Sequence, residues 1–471
     1  MKKTMSAALL AAMLLVSCGQ TAEPAAPPSG ETDAARDGAA AAVTEAEEKE
    51  SDYGGYEFNM LNGNVSYTYR FVTAEEENGD VMNDSIYRRN LAVEEALKIK
   101  IKETVTENPQ GDYMDSISAG DNSFDVALLR MEWAFPAVIA NATVNWNVIP
   151  HLDLSQPYWI QGSLTSMSLM NNVYFAVSAF DTSHLESIRA FVFNKRMAKD
   201  YGIESPYETV KSGKWTIQKM YDTGLSVASD LDGNGKWTKK DQFGMTGYSN
   251  VICNTVMCGA GSILSISKDA NDAPYFDLDS DSHVEKLLAV SKIFGEDNGF
   301  CDKKNNQDLF RQGQALYRIL LLSEVTALRD MDDDFGVIPA PKYDESQENY
   351  INLGGSPFFM TVPVTAPDLG RTGDVMETLA SASAGVIDTA YYDVVLKGKV
   401  SRDDESEEML DLIISTLEYY HPLANSYLNA PLADDYLWKG KTDFASYFAS
   451  VKDSINAEIS QAIETYTENV R

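Results

Sequence analysis

Short apolar strand patterns alternate with amphipathic helical patterns along most of this chain. Residues 124–129 are apolar enough for a strand that is buried on both faces, and residues 98–105 alternate isoleucine with lysine. Other strand patterns occur at 56–60, 189–193 and 335–338, and helical patterns occur at 84–98, 216–229, 282–294, 375–384 and 407–420. This alternation predicts an α/β fold with largely parallel sheets.

The composition is that of a globular protein of two or three domains. The chain has 471 residues, 44% of them hydrophobic, and its 38 basic and 71 acidic residues give a formal net charge of −33. An apolar fraction this high excludes a disordered chain. A charge this negative repels phosphate backbones and anionic lipid headgroups, so we predict no nucleic-acid partner and no basic membrane-binding surface.

The N-terminus has the features of an export signal. Lys2 and Lys3 precede an apolar stretch at residues 5–16, which is too short to span a bilayer. The stretch ends in Leu-Val-Ser-Cys at residues 15–18, which resembles the bacterial lipoprotein box. We predict a signal peptide at residues 1–18 and a lipid, palmitate included, on Cys18 that anchors the chain to the outer face of the cell membrane. The alternative is an ordinary signal peptide that contains a cysteine by chance.

Residues 19–52 lack apolar periodicity. They contain nine acidic and two basic residues, and alanine, proline and glycine fill most of the other positions. Such a segment cannot bury a core, so we predict a disordered acidic tether between the lipid and the folded part.

Three cysteines remain after Cys18, namely Cys253, Cys258 and Cys301. They can form one disulfide at most, and the spacing between the first two is not that of a zinc site. We interpret them as buried apolar thiols.

Seven short strings follow one another along the chain. They are Asn-Asp-Ser-Ile-Tyr-Arg-Arg-Asn at 83–90, Phe-Asn-Lys at 193–195, Pro-Tyr-Glu-Thr-Val at 206–210, Gly-Lys-Trp-Thr at 213–216, Phe-Arg-Gln-Gly-Gln-Ala-Leu-Tyr at 310–317, Phe-Gly-Val-Ile-Pro-Ala-Pro-Lys at 335–342 and Asn-Leu-Gly-Gly-Ser at 352–356. In this order they resemble the extracytoplasmic solute-binding lipoproteins that serve ABC importers, in the carbohydrate-type branch of that family. No single string is specific to the family.

The resemblance implies a two-lobe, periplasmic-binding-protein-like fold of type II, in which each lobe is a mostly parallel sheet flanked by helices. Lobe 1 would comprise residues 53–182 and 312–352, and lobe 2 would comprise residues 183–311 and 353–471. A carbohydrate, an oligosaccharide in particular, would bind in the cleft and be delivered to the transmembrane subunits of an ABC permease. The protein would be a monomer that meets the membrane only through its lipid. Clefts between domains are common ligand sites, and closure gives a partner one geometry to recognise.

A twelve-residue calcium-loop pattern occurs at residues 230–241. Oxygen ligands are expected at positions 1, 3, 5, 7, 9 and 12, which are Asp230, Asp232, Asn234, the carbonyl of Lys236, Thr238 and Asp241. Gly235 at position 6 permits the tight turn, so the pattern predicts a structural Ca²⁺ site. Asp241 stands where glutamate is usual, and its side chain is shorter than that of glutamate. The alternative is a glycine-rich turn whose acids are merely solvated.

The same alternate spacing occurs at Asp277, Asp279 and Asp281. There the sixth position is Ser282 and the twelfth is Leu288, so the loop lacks both its glycine and its last ligand. We interpret this segment as the end of a strand and the start of a helix.

Candidate ligand contacts are aromatic, acidic and guanidinium side chains near the ends of strands. Aromatic rings stack on the C–H faces of sugars, charged planar groups bind sugar hydroxyls, and loops at strand ends often carry function. Packing in the core or a solvated loop is the alternative for each, and Trp146 and Trp159 are looser candidates. The predicted ligand-binding residues are Glu76, Glu77, Arg130, Glu132, Trp133, Asp181 and Tyr248.

Common catalytic motifs are absent from the sequence, which has no Gly-x-Ser-x-Gly, no His-Glu-x-x-His and no Walker loop. We therefore expect a binding protein and not an enzyme. A secreted hydrolase that uses two carboxylates is the main alternative, because such a pair needs no fixed spacing along the chain. A surface adhesin that binds polysaccharide is another.

Overall fold

The protein is described by a computed structural model over residues 51–63, 72–262, 266–306, 308–328, 330–392, 403–424 and 430–469. The predicted signal peptide, Cys18 and most of the predicted tether lie outside these described residues. Within them, no helix combines the length and the apolar character needed to cross a membrane.

Thirteen strands and seventeen helices are found in the described ranges. The strands are β1 (Tyr56–Gly63), β2 (Ile99–Thr106), β3 (Val126–Arg130), β4 (Phe175–Ala176), β5 (Arg189–Asn194), β6 (Phe243–Thr246), β7 (Ile266–Lys268), β8 (Pro274–Phe276), β9 (Ala315–Leu321), β10 (Phe335–Ile338), β11 (Asn352–Leu353), β12 (Phe358–Thr361) and β13 (Leu417–Glu418). The helices are α1 (Val81–Leu97), α2 (Pro109–Ala119), α3 (Met131–Ile139), α4 (Gln161–Met167), α5 (Ser183–Glu186), α6 (Lys195–Asp200), α7 (Pro206–Lys211), α8 (Ile217–Val227), α9 (Ser249–Gly259), α10 (Asp281–Gly295), α11 (Asp308–Arg311), α12 (Leu322–Val325), α13 (Leu369–Ala384), α14 (Ile387–Ala390), α15 (Asp404–Ser415), α16 (Ala430–Leu432) and α17 (Phe444–Asn469).

The first sheet has five strands in the order β2-β1-β3-β12-β4. Alternate residues of β3 enter different apolar clusters, with Val126 and Leu128 on one face of the sheet and Ala127 and Leu129 on the other. The strand predicted at residues 124–129 is therefore buried on both faces, as its apolar run predicts.

The second sheet has four strands in the order β10-β5-β9-β6. Helix α15 covers one face, where Leu410 and Ile413 pack with Val337 of β10. The strands predicted at 189–193 and 335–338 are confirmed as β5 and β10.

Both sheets are mixed, so the prediction of mostly parallel sheets is wrong. β1 is parallel to β2 and β3, and β6 is parallel to β9. Every antiparallel pair in these two sheets includes β5 or β12. Each of these is the first strand that the chain forms after it crosses from the other sheet. A helical crossover returns a strand parallel to the one before it, whereas a strand that enters from another lobe has no such constraint.

The division into lobes differs from the predicted one. Lobe 1 is the first sheet with its helices, and lobe 2 is the second sheet with its helices. Strands β9 and β10 belong to lobe 2, so the predicted return of residues 312–352 to lobe 1 is wrong. Strand β12 and helix α13 pack in lobe 1, so the prediction that residues from 353 onward lie in lobe 2 is wrong for them. An apolar pattern shows that a strand is buried, but it does not show which sheet the strand joins.

The two lobes contact each other through apolar and polar residues. One apolar cluster contains Leu129 and Phe359 of lobe 1 together with Phe191 and Ile319 of lobe 2. A second contact joins the turn after α4 to the β7–β8 turn, where the Met170 amide donates to the carbonyl of Asp272 at 3.0 Å. Apolar packing and a backbone hydrogen bond therefore join the two lobes.

Local signals account for the boundaries of several elements. Helix α1 begins three residues before the predicted position 84, because the side chain of Asp80 accepts hydrogen bonds from the amides of Met82 and Asn83. The helix predicted at 407–420 ends at Ser415, since residues 417–418 form β13 beside β11. The three described cysteines are free and buried, as predicted.

Candidate ligand-binding site

A cavity of about 100 Å³ lies where the edges of the two sheets face each other. Arg130 ends β3 in lobe 1, and Leu321 ends β9 in lobe 2. Opposite them stand Phe358 and Arg189, the first residues of the antiparallel strands β12 and β5. All four line the cavity. The carboxyl ends of parallel strands are where open α/β sheets bind ligands.

Residues of the two chain crossings line the cavity, and the crossings are hydrogen-bonded to each other. Residues 183–187 belong to the first crossing, and residues 355–358 belong to the second. The Ser187 hydroxyl donates to the Gly354 carbonyl at 2.7 Å, and the Phe358 amide donates to the Ser183 hydroxyl at 2.9 Å. A change in the angle between the lobes therefore acts directly on the cavity.

Seven of the ten residues that line the cavity carry polar side chains. They are the hydroxyls of Ser183, Ser187, Ser323 and Ser356, the carboxylate of Glu186 and the guanidinium groups of Arg130 and Arg189. Hydroxyls that both donate and accept, next to charged planar groups, suit a ligand with many hydroxyls.

Three predicted ligand-binding residues contact one another, and one of them, Arg130, lines the cavity. The Nε atom of Arg130 lies 2.9 Å from Oε1 of Glu132, and the guanidinium group lies 5.8 Å from the centre of the Trp133 ring. Glu132 also accepts a hydrogen bond from the hydroxyl of Ser356 at 3.2 Å. Arg130 is thus the predicted residue that lines the cavity, and Glu132 and Trp133 hold it in place.

The other predicted contacts do not line the cavity. Asp181 accepts a hydrogen bond from the Ser183 amide at 2.6 Å and so positions α5 beside the cavity. Glu77 forms an ion pair with Arg88, and Glu76 is exposed on the same loop. Tyr248, which precedes α9, is 53% exposed.

Trp146 and Trp159 are buried in the core of lobe 1. Their rings pack edge to face with centres 5.5 Å apart. The alternative role of core packing is therefore the correct one for both.

Arg189 lines the cavity and was not among the ligand-binding residues predicted from the sequence. Its Nε and Nη1 atoms are buried and have no hydrogen-bond partner among the described residues. Burial lowers the pKa of this guanidinium group from its ordinary value. The sequence analysis looked for ligand contacts at the ends of strands, and Arg189 is the first residue of a strand. Since β5 is antiparallel to β9, its beginning lies at the same edge as the end of β9.

The predicted calcium loop lies between α8 and β6 and brings its three aspartates together. Carboxylate oxygens of Asp230, Asp232 and Asp241 all lie within 4.8 Å of one another, the only such acidic group in the described part of the chain. The Gly235 amide donates to Asp230 at 2.7 Å, and Gly235 has a φ of +72°. This backbone conformation strongly favours glycine, as position 6 of the pattern requires.

Asp241 is fully buried and organises the end of the loop. Its carboxylate accepts hydrogen bonds from the Leu231 amide at 3.0 Å, the Thr238 amide at 2.7 Å and the Thr238 hydroxyl at 3.1 Å. Burial acts to raise the pKa of Asp241, but these hydrogen bonds outweigh it and lower that pKa. The carboxylate is therefore held ionised.

The remaining predicted calcium ligands lie on the same loop. The Asn234 side chain accepts a hydrogen bond from the Lys236 amide at 2.8 Å, which is compatible with one further contact to a cation. The aspartates at 277, 279 and 281, which have the same alternate spacing, behave differently: Asp277 contacts Ser267, and Asp279 pairs with Lys452 at 2.6 Å. Alternate spacing alone therefore does not bring three aspartates together.

Comparisons with solved structures identify the fold. No family model and no curated protein matches the chain by sequence. An ABC substrate-binding protein from Listeria monocytogenes in complex with cycloalternan has a TM-score of 0.56 and 13% identity, covering 86% of this chain and 99% of that chain. A cyclo/maltodextrin-binding protein complexed with maltotetraose has a TM-score of 0.55 and 12% identity, and the match covers 89% of this chain and 99% of that chain. The GacH receptor of Streptomyces glaucescens, solved unliganded and with acarbose, has a TM-score of 0.52 and 11% identity, and the match covers 87% of this chain and 98% of that chain.

These neighbours are binding proteins, and each is matched over nearly its whole length. The predicted type II architecture is confirmed: the chain has the two-lobe fold of the solute-binding proteins of ABC transporters.

Proposed function

We propose that this protein captures a saccharide between its lobes outside the cytoplasm and presents it to an ABC importer, without breaking a bond. The observation that carries this proposal is the cavity at the facing edges of the two sheets, which is lined by four serines and by residues of both crossings. Neighbours of the same fold hold cycloalternan and maltotetraose, which are oligosaccharides. Because the cavity is shared by both lobes, a ligand in it stabilises one inter-lobe geometry, which the permease then recognises.

A panel of oligosaccharides tests this function by thermal shift. A ligand present at about 100 times its Kd stabilises the folded state by about 2.7 kcal/mol, which raises the Tm of a chain of this size by about 3 °C. We expect saturable binding, and chromatography of the incubated sugar should recover it unchanged. Recovery of shorter products would identify a hydrolase instead. Binding of polysaccharide without any change in the small-angle scattering radius would favour an adhesin.

We also propose that a lipid on Cys18 keeps the protein at the outer face of the membrane and that the acidic tether allows it to reach the permease. The order of charge, apolar stretch, small residue and cysteine supports this anchor. The folded part begins close to the tether, since the Tyr53 hydroxyl donates to Asp374 of lobe 1 at 2.6 Å.

A Cys18→Ser variant is expected to move from the membrane fraction to the soluble or secreted fraction, because it has no thiol to accept the lipid. Fractionation followed by immunoblotting measures this. Ser17→Ala is the matched control, since it keeps a small residue before the cysteine and should stay with the membranes. Membrane retention of Cys18→Ser would contradict the lipid anchor.

We further propose that residues 230–241 bind Ca²⁺ in a structural role. The convergence of three carboxylates and the left-handed glycine at position 6 support this, because such a group is stabilised by a cation. The loop connects α8 to β6, whose far end lies at the same edge as the cavity. A bound ion would thus stiffen the entry to a strand of lobe 2, and the calcium response of Asp241 variants tests the proposal.

A further inference from the structure

We propose that the saccharide bound in the cavity carries a carboxylate, as a uronic acid does, and that this carboxylate pairs with Arg189. The inference rests on the proposed saccharide-binding function and adds the chemical class of the ligand. The observation behind it is that the Nε and Nη1 atoms of the half-buried Arg189 have no partner among the described residues.

Arg189 is a cation without a counter-ion among the described residues. Its Nε and Nη1 atoms are inaccessible to solvent and make no hydrogen bond there, and it forms no ion pair with any described acid. An arginine remains protonated in a folded protein even where burial lowers its pKa. Removing an uncompensated charge from water is costly, and an anion that enters the cavity would offset that cost.

Three carboxylates around Arg189 each have at least one other contact. Glu132 pairs with Arg130 at 2.9 Å, and Glu186 accepts a hydrogen bond from the Thr182 hydroxyl at 3.0 Å. Glu324 accepts a hydrogen bond from the Leu321 amide at 2.9 Å, and its charge reaches Arg189 only at longer range. None of these three carboxylates forms an ion pair with Arg189.

Binding of a neutral sugar would make the charge of Arg189 energetically less favourable. A ligand that fills the cavity displaces water, so the guanidinium charge would lose solvation without gaining a partner. Arg130, the other cation of the lining, acts on Arg189 in the same direction, because like charges repel. A carboxylate in the cavity would supply Arg189 with the opposite charge that the described residues do not provide.

The test compares acids with their uncharged esters on the full mature chain. The probes are oligogalacturonides and glucuronic-acid disaccharides, the methyl ester of each, and neutral oligosaccharides such as galactobiose and maltotriose. Isothermal titration is expected to show an acid as the tightest ligand, bound at least about tenfold more tightly than its ester. Added salt should weaken the binding of the acid more than that of the ester.

Arg189→Met tests the residue itself, because it keeps the length of the side chain and removes the charge. We expect the preference for acid over ester to fall to within about twofold, and the melting temperature to stay the same or rise, since a buried unpaired charge is lost. Arg189→Lys is the control that keeps the charge and should retain part of the preference. If Arg189→Met does not fold, the comparison of acid with ester on the wild-type chain decides alone.

The outcomes separate this inference from the function beneath it. If neutral saccharides bind as tightly as the acids or more tightly, the carboxylate inference is wrong and the saccharide-binding function stands. If acids are preferred but Arg189→Met keeps the preference, the assignment to Arg189 is wrong. If no saccharide of either class binds, the proposed function fails and the inference fails with it.

Discussion

Asp241→Ala is expected to lower the free energy of unfolding by about 3–5 kcal/mol, because three hydrogen bonds to a buried charged acceptor are lost together. The amides of Leu231 and Thr238 would be left without their partner at the entry to β6. Chemical denaturation with fluorescence detection measures the change. Asp232→Ala is the matched control, since Asp232 is exposed on the same loop and should cost less than about 1 kcal/mol without calcium.

Calcium separates the metal role of Asp241 from its structural role. Excess calcium should raise the melting temperature of the wild-type chain relative to a chelator, because the ion binds the folded loop and not the unfolded chain. Asp241→Asn keeps an acceptor for the loop amides but loses the charge, so its melting temperature should respond little to calcium. If the wild-type melting curve is identical with calcium and with chelator, the calcium proposal is wrong and residues 230–241 form a solvated turn.

The pH dependence of stability follows from the lowered pKa of Asp241. The folded-state pKa lies below the ordinary value of 3.8, so the carboxylate's contribution is complete above that value and is lost as the pH falls through the folded-state pKa. Asp241→Asn should therefore lose less stability than the wild-type chain between pH 5 and pH 3, in urea titrations without calcium.

Local pattern was sufficient to predict individual elements and the convergence of Asp230, Asp232 and Asp241, but not the assignment of strands to lobes. The alternation at residues 335–338 and the apolar run at 124–129 each mark a strand, because burial of a strand leaves a local pattern. Strands β9 and β12 are both largely buried, and no local pattern distinguishes a strand that pairs with β5 from one that pairs with β3. Pairing is decided by contacts between distant residues.

The same limit explains which parts of the site were predicted. Arg130 ends a parallel strand, where the rule about strand ends applies, and it does line the cavity. Arg189 begins a strand, and only the antiparallel direction of β5 places it at that edge. Strand direction is a property of the sheet and not of the segment. The serines of the lining carry no charge or ring that would mark them in a sequence.

Gly355→Ala is expected to lower the free energy of unfolding by about 2–4 kcal/mol and to weaken saccharide binding at least tenfold. Gly355 has a φ of +69°, a conformation that L side chains rarely adopt. An added Cβ would also collide with the Ser187 carbonyl oxygen on the other crossing. Because residues of both crossings line the cavity, separating the crossings would move those residues.

Gly385→Ala is the matched control for this substitution, because Gly385 has a φ of −86° at the end of α13 and a Cβ there would meet nothing within 4 Å. Its free energy of unfolding should stay within about 0.5 kcal/mol of the wild-type value. Denaturant titration and calorimetric binding on both variants provide the comparison. A Gly355→Ala chain that binds saccharide with wild-type affinity would mean that the crossings do not set the geometry of the site. Ligand selection would then lie with Arg130, Arg189 and the strand ends that carry them.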